Sequence, residues 1–185
     1  MKPDRAVTID HSALCAAEAA RCNGTALRKA NRSVSQLYDA VLAPCGLRST
    51  QRSILAQVLR AGRPSIGELA GALVLDRTAL AHNLKPLERD GLIRIVTDEN
   101  DKRARVLILT ERGRAKFDES TPLWEHAQHC FESVFGVTKA KALRTALTLL
   151  ASPEFVKAFQ GTENVHSGKR QAGPKNPQRL TRKRA

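Results

Sequence analysis

Aromatic side chains are scarce in this 185-residue chain: Phe, Trp and Tyr make up 4% of it. A core must therefore rest on Leu, Ala, Val and Ile, as in most helical proteins, and a hydrophobic content of 42% can supply one. No run approaches the roughly 18 apolar residues of a membrane span. No apolar segment follows Lys2, Asp4 and Arg5 in the manner of an export signal. The four cysteines, Cys15, Cys22, Cys45 and Cys130, lack CxxC spacing. They read as reduced thiols, and the expected compartment is the cytoplasm. There is no Gly-rich phosphate loop, nucleophile elbow, paired-carboxylate signature or internal repeat, and no thiol is matched to a base. Neither an enzyme nor a bound cofactor is expected. Acidic residues are also in deficit, 18 against 31 Lys and Arg, for a net charge of +13. Such a balance points to a polyanionic partner. Seven Lys or Arg and one Glu in Gly161–Ala185 account for +6, so residues 1–160 keep +7 and are basic in their own right.

The pattern divides the chain into five stretches. Residues 1–10 read as disordered. Residues 11–46 carry a long helical pattern from His11 to Ala43, which Asn23-Gly24 should weaken or kink and Pro44-Cys45-Gly46 should end. Residues 47–110 begin with a helix capped by Ser49 or Thr50 and ended by Gly62. Residues 111–160 continue from a Thr110 cap through a long helix that Pro122 should kink or break. A segment capped by Thr138 follows, then a short helix opening at Ser152-Pro153-Glu154. Residues 161–185 are rich in Gly, Pro, Lys and Arg and cannot bury enough apolar surface to fold alone.

The most informative stretch is Ser65–Thr110. Ser65 and Glu68 form a capping box before Leu69 and Ala70. Asp76 is an N-cap for a second helix with Leu80, Leu84 and Leu87 on one stripe, stopped by Gly91. Ile93 and Ile95 alternate with polar residues, and Val106 and Ile108 do so again after a charged turn, Asp98 to Arg105. A hairpin tip carrying Lys102, Arg103 and Arg105 suits phosphate or minor-groove contact better than a core. The fold class is mainly α with a small β-hairpin wing: a winged helix-turn-helix flanked by N- and C-terminal helices. Those flanking helices carry more apolar residues than the winged unit can cover, so a homodimer with intertwined termini is expected.

The combination of Leu87-Glu88-Arg89-Asp90-Gly91-Leu92-Ile93, Asp101-Lys102-Arg103 and Leu109-Thr110-Glu111-Arg112-Gly113, with Ile66-Gly67-Glu68-Leu69-Ala70 before them, resembles the MarR family of bacterial transcriptional regulators over about residues 11–155. The resemblance implies a homodimer whose two winged lobes read a pseudo-palindrome in double-stranded DNA. The helix from Asp76 would enter the major groove, presenting Arg77, Thr78, His82 and Asn83 to base edges, with Lys85 and Arg52 on phosphates. Asp101 would orient Arg103 into the narrow minor groove. This helix departs from the family pattern at Ala79, Ala81 and His82, which removes donors and acceptors from its reading face. The family's common mode is repression.

The effector stays open between two readings. The resemblance places a pocket for a small phenolic or aromatic ligand beside each winged lobe, with Tyr38, Arg52 and Trp124 as candidate walls. Alternatively, Cys15 and Cys22 respond to oxidants. They lie roughly 10 Å apart along one predicted helix, too far for a bond within it, so a disulfide would have to reach the partner subunit. Glu125, His126, His129 and Cys130 offer half a metal site or a solvated helix face, and no metal is assigned to them. The alternative to a regulator is a basic architectural protein that coats DNA with little sequence preference.

Overall fold

The computed structural model describes residue 18 and residues 20–170, with side chains to residue 162. Contacts divide the chain into two compact units, one ending at Phe131 and one beginning at Glu132.

In the first unit, helix α1 (Asn23–Leu42) begins later than the sequence pattern suggests. Glu18, Ala20 and Arg21 are helical, but Cys22 is not. It adopts an extended conformation and caps α1, its Sγ accepting from the Thr25 N–H at 3.4 Å. The weak point thus falls one residue before Asn23-Gly24. A short 3-10 turn (Ala43–Cys45) ends at Gly46 in the left-handed region (φ 71°). Helix α2 (Ser49–Ala61) is capped by neither Ser49 nor Thr50: Arg48 is the N-cap, and its N–H donates to Gln51 Oε1 at 2.9 Å. The Ser49 N–H and hydroxyl are instead taken by Asp39 Oδ1 at 2.7 and 2.6 Å, which ties α2 to α1.

Helix α3 (Ile66–Ala72) carries the expected reciprocal cap: Ser65 N–H to Glu68 Oε2 at 2.7 Å and Glu68 N–H to Ser65 Oγ at 3.2 Å. Helix α4 (Arg77–Arg89) starts at Asp76, whose Oδ1 accepts from Ala79 N–H at 2.8 Å. It runs through Pro86, which supplies no N–H for the His82 carbonyl. Between α3 and α4, Val74 sits in the left-handed region (φ 52°) and is 67% exposed. A β-branched residue is strained there. Val74→Gly should raise the urea midpoint, a gain of about 0.5–1 kcal/mol after the flexibility glycine adds to the unfolded chain. An unchanged or lowered midpoint would mean the turn is not strained.

Strands β1 (Ile93–Thr97) and β2 (Arg105–Leu109) pair antiparallel, with Ile93 opposite Leu109 and Ile95 opposite Leu107. These four residues join the core. The inward face of β2 is therefore Leu107 and Leu109, one position out of step with the Val106/Ile108 alternation. Val106 is buried as well, bridged to Ser65 outside the hairpin. Each strand residue is apolar from Val106 to Leu109, so alternation alone could not choose the face. The core joins Leu42, Ile54, Leu55, Val58, Leu69 and the Leu80/Leu84/Leu87 stripe of α4 with these strand residues. Each such side chain withdrawn from water contributes roughly 1.5–3 kcal/mol.

Thr110 caps α5 (Glu111–Phe135) as expected, accepting from Gly113 N–H at 2.9 Å while donating to the Gly91 carbonyl at 2.7 Å. The helix is unbroken at Pro122. Immediately before the proline, the hydroxyls of Ser120 and Thr121 both donate to the Phe117 carbonyl, at 2.6 and 3.1 Å.

The second unit contains α6 (Val137–Leu150) and α7 (Pro153–Arg170). Gly136 (φ 92°) is the N-cap of α6 and has no side chain to offer, so Thr138 lies inside the helix rather than at its cap. Pro153 opens α7, where Ser152 Oγ accepts from Phe155 N–H at 3.2 Å. This helix is not short: it continues past Gly161, where the composition suggested that structure ends, to Arg170. Leu147, Leu149, Phe155 and Phe159 of this unit are between 37% and 61% exposed. Among the described residues, no helix is long and apolar enough to cross a membrane.

Candidate nucleic-acid interface

Helix α4 is amphipathic. With Leu80, Leu84 and Leu87 buried, the 3.6-residue turn leaves Thr78, His82 and Lys85 together on the exposed side, while Arg77, in line with the leucines, is exposed because it is the helix's first residue. Asn83 does not join them. It is half-buried, and its Nδ2 donates to the Ala79 carbonyl of its own helix at 2.8 Å. Asp76 and the first turn of α4 leave the helix's N-terminal partial charge at the end that carries Arg77 and Thr78.

The wing is built by its own carboxylates. Asp98 Oδ1 accepts from the N–H groups of Asn100 (2.7 Å) and Asp101 (3.2 Å). Asp101 Oδ1 accepts from the Arg103 N–H at 2.9 Å. Asp101 therefore fixes Arg103 through the backbone, and no ion pair joins the two side chains among the described residues. Lys102, Arg103 and Arg105 are all exposed. Glu99 in the same turn pairs with Arg63 at 3.3 Å, bracing the wing against the α2–α3 connection. Sequence reasoning missed this strut because its partners lie 36 positions apart.

Arg52 is not available to phosphate. It is 8% exposed and its guanidinium lies 4.7 Å from the Phe117 ring centre and 4.5 Å from that of Trp124. Its Nε donates to Ser120 Oγ at 3.1 Å. Burial lowers its pKa from the ordinary arginine value, opposed by Cys45 and Glu125. Arg52 is thus a clasp between α2 and α5, held by cation–π contacts on two rings.

Tyr38 stands elsewhere, on the wall of a cavity of about 380 Å³ between α1, α2 and the α3–α4 turn. Asn31, Ser35, Ser49, Ser53, Leu73 and Leu75 share that wall; Arg52 and Trp124 do not. The three residues nominated as one pocket therefore fall into two sites. The cavity's polar residues were detectable as a stripe: Asn31, Ser35 and Tyr38 are at i, i+4 and i+7, and Ser49 and Ser53 at i and i+4.

Cys15 lies outside the described residues. Cys22 is exposed, and hydrogen bonds from Thr25, then Gly24 and the charge of Arg28, hold its thiol below the ordinary range. Among the described residues, no group of three or more His, Cys, Asp or Glu is gathered as a metal cage.

A capped two-helix turn followed by a basic hairpin, with one polar helix face turned to solvent, defines a winged helix-turn-helix protein. Residues 47–104 match the family model described as the MarR family. The chain is 33% identical to the Mycobacterium tuberculosis transcriptional regulator MosR, solved in complex with DNA. That match covers 74% of this chain and 97% of MosR, with a TM-score of 0.65. It is 26% identical to the transcriptional repressor CouR, solved bound to a 23-mer DNA duplex, covering 73% of this chain and 96% of CouR with a TM-score of 0.66. It is also 36% identical over 72 residues to the transcriptional activatory protein BadR of Rhodopseudomonas palustris, a match spanning 37% of this chain and 41% of BadR. The chain belongs to the MarR family of transcriptional regulators.

Proposed function

We propose that this protein is a homodimeric repressor that reads a pseudo-palindromic operator through α4 and the wing. The observation that carries this reading is the exposed face of α4, where Thr78, His82 and Lys85 stand opposite the buried leucine stripe, with Arg77 exposed at the helix's first position. Arg77 and Thr78 are at the helix end that meets base edges when such a helix lies in the major groove, and Lys85 suits phosphate. Asn83 contributes less than its neighbours because Ala79 already accepts from its amide. Arg103 is proposed for the minor groove, with Lys102 and Arg105 on the flanking backbone. The exposed leucines and phenylalanines of α6 and α7 support a dimer, since a second copy is the simplest cover for them. The basic residues from Lys169 onward would add phosphate contacts of low sequence preference.

Two features support release by a signal. The cavity beside Tyr38 falls within the size range of small-molecule sites, about 300–1,000 Å³, and one wall is the turn that leads into α4. A small phenolic or aromatic ligand there would act directly on the start of that helix. The exposed Cys22, with its lowered pKa, supports oxidation as the other route.

The test is a fluorescence-anisotropy titration on the duplex upstream of the protein's own gene, with excess competitor DNA, first reduced and then after peroxide. Tight, competitor-resistant binding is expected, since specific affinity typically exceeds nonspecific affinity by roughly 10³-fold or more. Release by peroxide that Cys22→Ser prevents identifies the thiol route. Binding unchanged by peroxide but reversed by a phenolic acid identifies the cavity. Weak binding erased by competitor would overturn the regulator reading in favour of an architectural protein.

A further inference from the structure

Away from the α4 face and the cavity, α5 carries a thiol and an imidazole in direct contact. Cys130 Sγ lies 3.6 Å from His126 Nε2, one helical turn apart, and both residues are exposed. The distance has a chemical meaning. A zinc ion takes thiolate sulfur at about 2.3 Å and imidazole nitrogen at about 2.0–2.1 Å. At a tetrahedral angle these lengths place sulfur and nitrogen about 3.5–3.6 Å apart. The pair therefore already has the span of two adjacent ligands on one tetrahedral ion.

We propose that His126 and Cys130 chelate a divalent cation of the zinc class. Hard cations such as magnesium and calcium prefer oxygen, whereas a thiolate–imidazole pair selects zinc or cadmium. On binding, the Cys130 S–H bond breaks, its proton goes to solvent and the thiolate lone pair enters the metal's coordination sphere. The neutral His126 ring donates its Nε2 lone pair. Water completes the coordination. Because metal binding releases a proton, affinity rises with pH. The i, i+4 helical spacing preorganises the chelate, and neither side chain has to leave a core to form it. The proposal does not rest on the DNA reading, and its test contains no DNA.

The test is a cadmium titration of the reduced full-length chain carrying Cys15→Ser and Cys22→Ser, followed by the sulfur-to-cadmium charge-transfer absorption in the ultraviolet. Cys45 is buried and donates to the Leu42 carbonyl, which leaves Cys130 as the exposed thiol among the described residues. The expected result is a band that saturates at one cadmium per chain and is displaced by zinc. Cys130→Ser should abolish it. His126→Asn should weaken cadmium binding at least tenfold while leaving the reactive thiol count unchanged. A band absent from the parent chain would show an ordinary thiol–imidazole hydrogen bond. A band that His126→Asn leaves at full affinity would show a lone thiolate. Either result overturns the chelate.

Discussion

Gly113→Ala is expected to destabilise the winged lobe by about 3 kcal/mol or more, the upper range for forcing extra atoms into a packed site. A Cβ at this position would fall inside the Leu92 carbonyl group and lie 2.9 Å from Leu109 Cδ1. The backbone at Leu92 cannot easily retreat. Its carbonyl accepts from the Thr110 N–H at 3.1 Å, and the neighbouring Gly91 carbonyl accepts from the Thr110 hydroxyl at 2.7 Å. The first turn of α5 is thus pressed against the start of β1, and only a hydrogen fits between them. Whole domains are stable by about 5–15 kcal/mol, so this one methyl group should consume a large share. Urea unfolding followed by circular dichroism gives the answer. Gly71→Ala is the control: it is also a glycine within a helix, but nothing lies within 4 Å of the added Cβ. It should be neutral or mildly stabilising. Equal midpoints for the two variants would refute the close approach.

Arg103→Ala should weaken operator binding by about 1–3 kcal/mol, or roughly 5–150-fold, the range for one good specific contact. Arg103 is exposed, and its N–H is anchored by Asp101, so truncation should leave the wing folded. Dimer size by gel filtration and the thermal midpoint should therefore match the parent. The structure adds a distinction. Because Asp101 holds the Arg103 backbone rather than its guanidinium, Asp101→Ala should loosen the turn and lower affinity less than Arg103→Ala does. Wild-type affinity for Arg103→Ala would remove the wing from the binding surface.

What could be read directly from the chain was local. Ser65 with Glu68, Asp76 before the Leu80/Leu84/Leu87 stripe, and Thr110 before α5 each act within four residues or along one helix face, and the structure has each as the sequence pattern indicated. Helix α4 and its exposed face follow from these alone, because capping and amphipathic periodicity need no distant partner. The family resemblance added the expectation that this helix faces DNA.

Local chemistry misdirected the reading where several partners compete for one group. Ser49 is a good N-cap by type, but Asp39, ten positions earlier, takes both its N–H and its hydroxyl. Thr138 lost the cap to Gly136 because the chain turns there with φ 92°. Pro122 left α5 intact, as a helix can lose one hydrogen bond when packing holds its sides.

The sequence by itself determined the helix-turn-helix, the basic wing and the charge that suits a polyanion, all of which arise from spacing along the chain. Only the tertiary structure decided the rest. It turned Arg52 inward between Phe117 and Trp124, separated Tyr38 from both, chose Leu107 over Val106 for the core face of β2, and required glycine at 113. Those outcomes depend on which separated surfaces meet, and a charged or apolar residue type does not specify its neighbours across such intervals, 68 positions for Arg52 and Ser120.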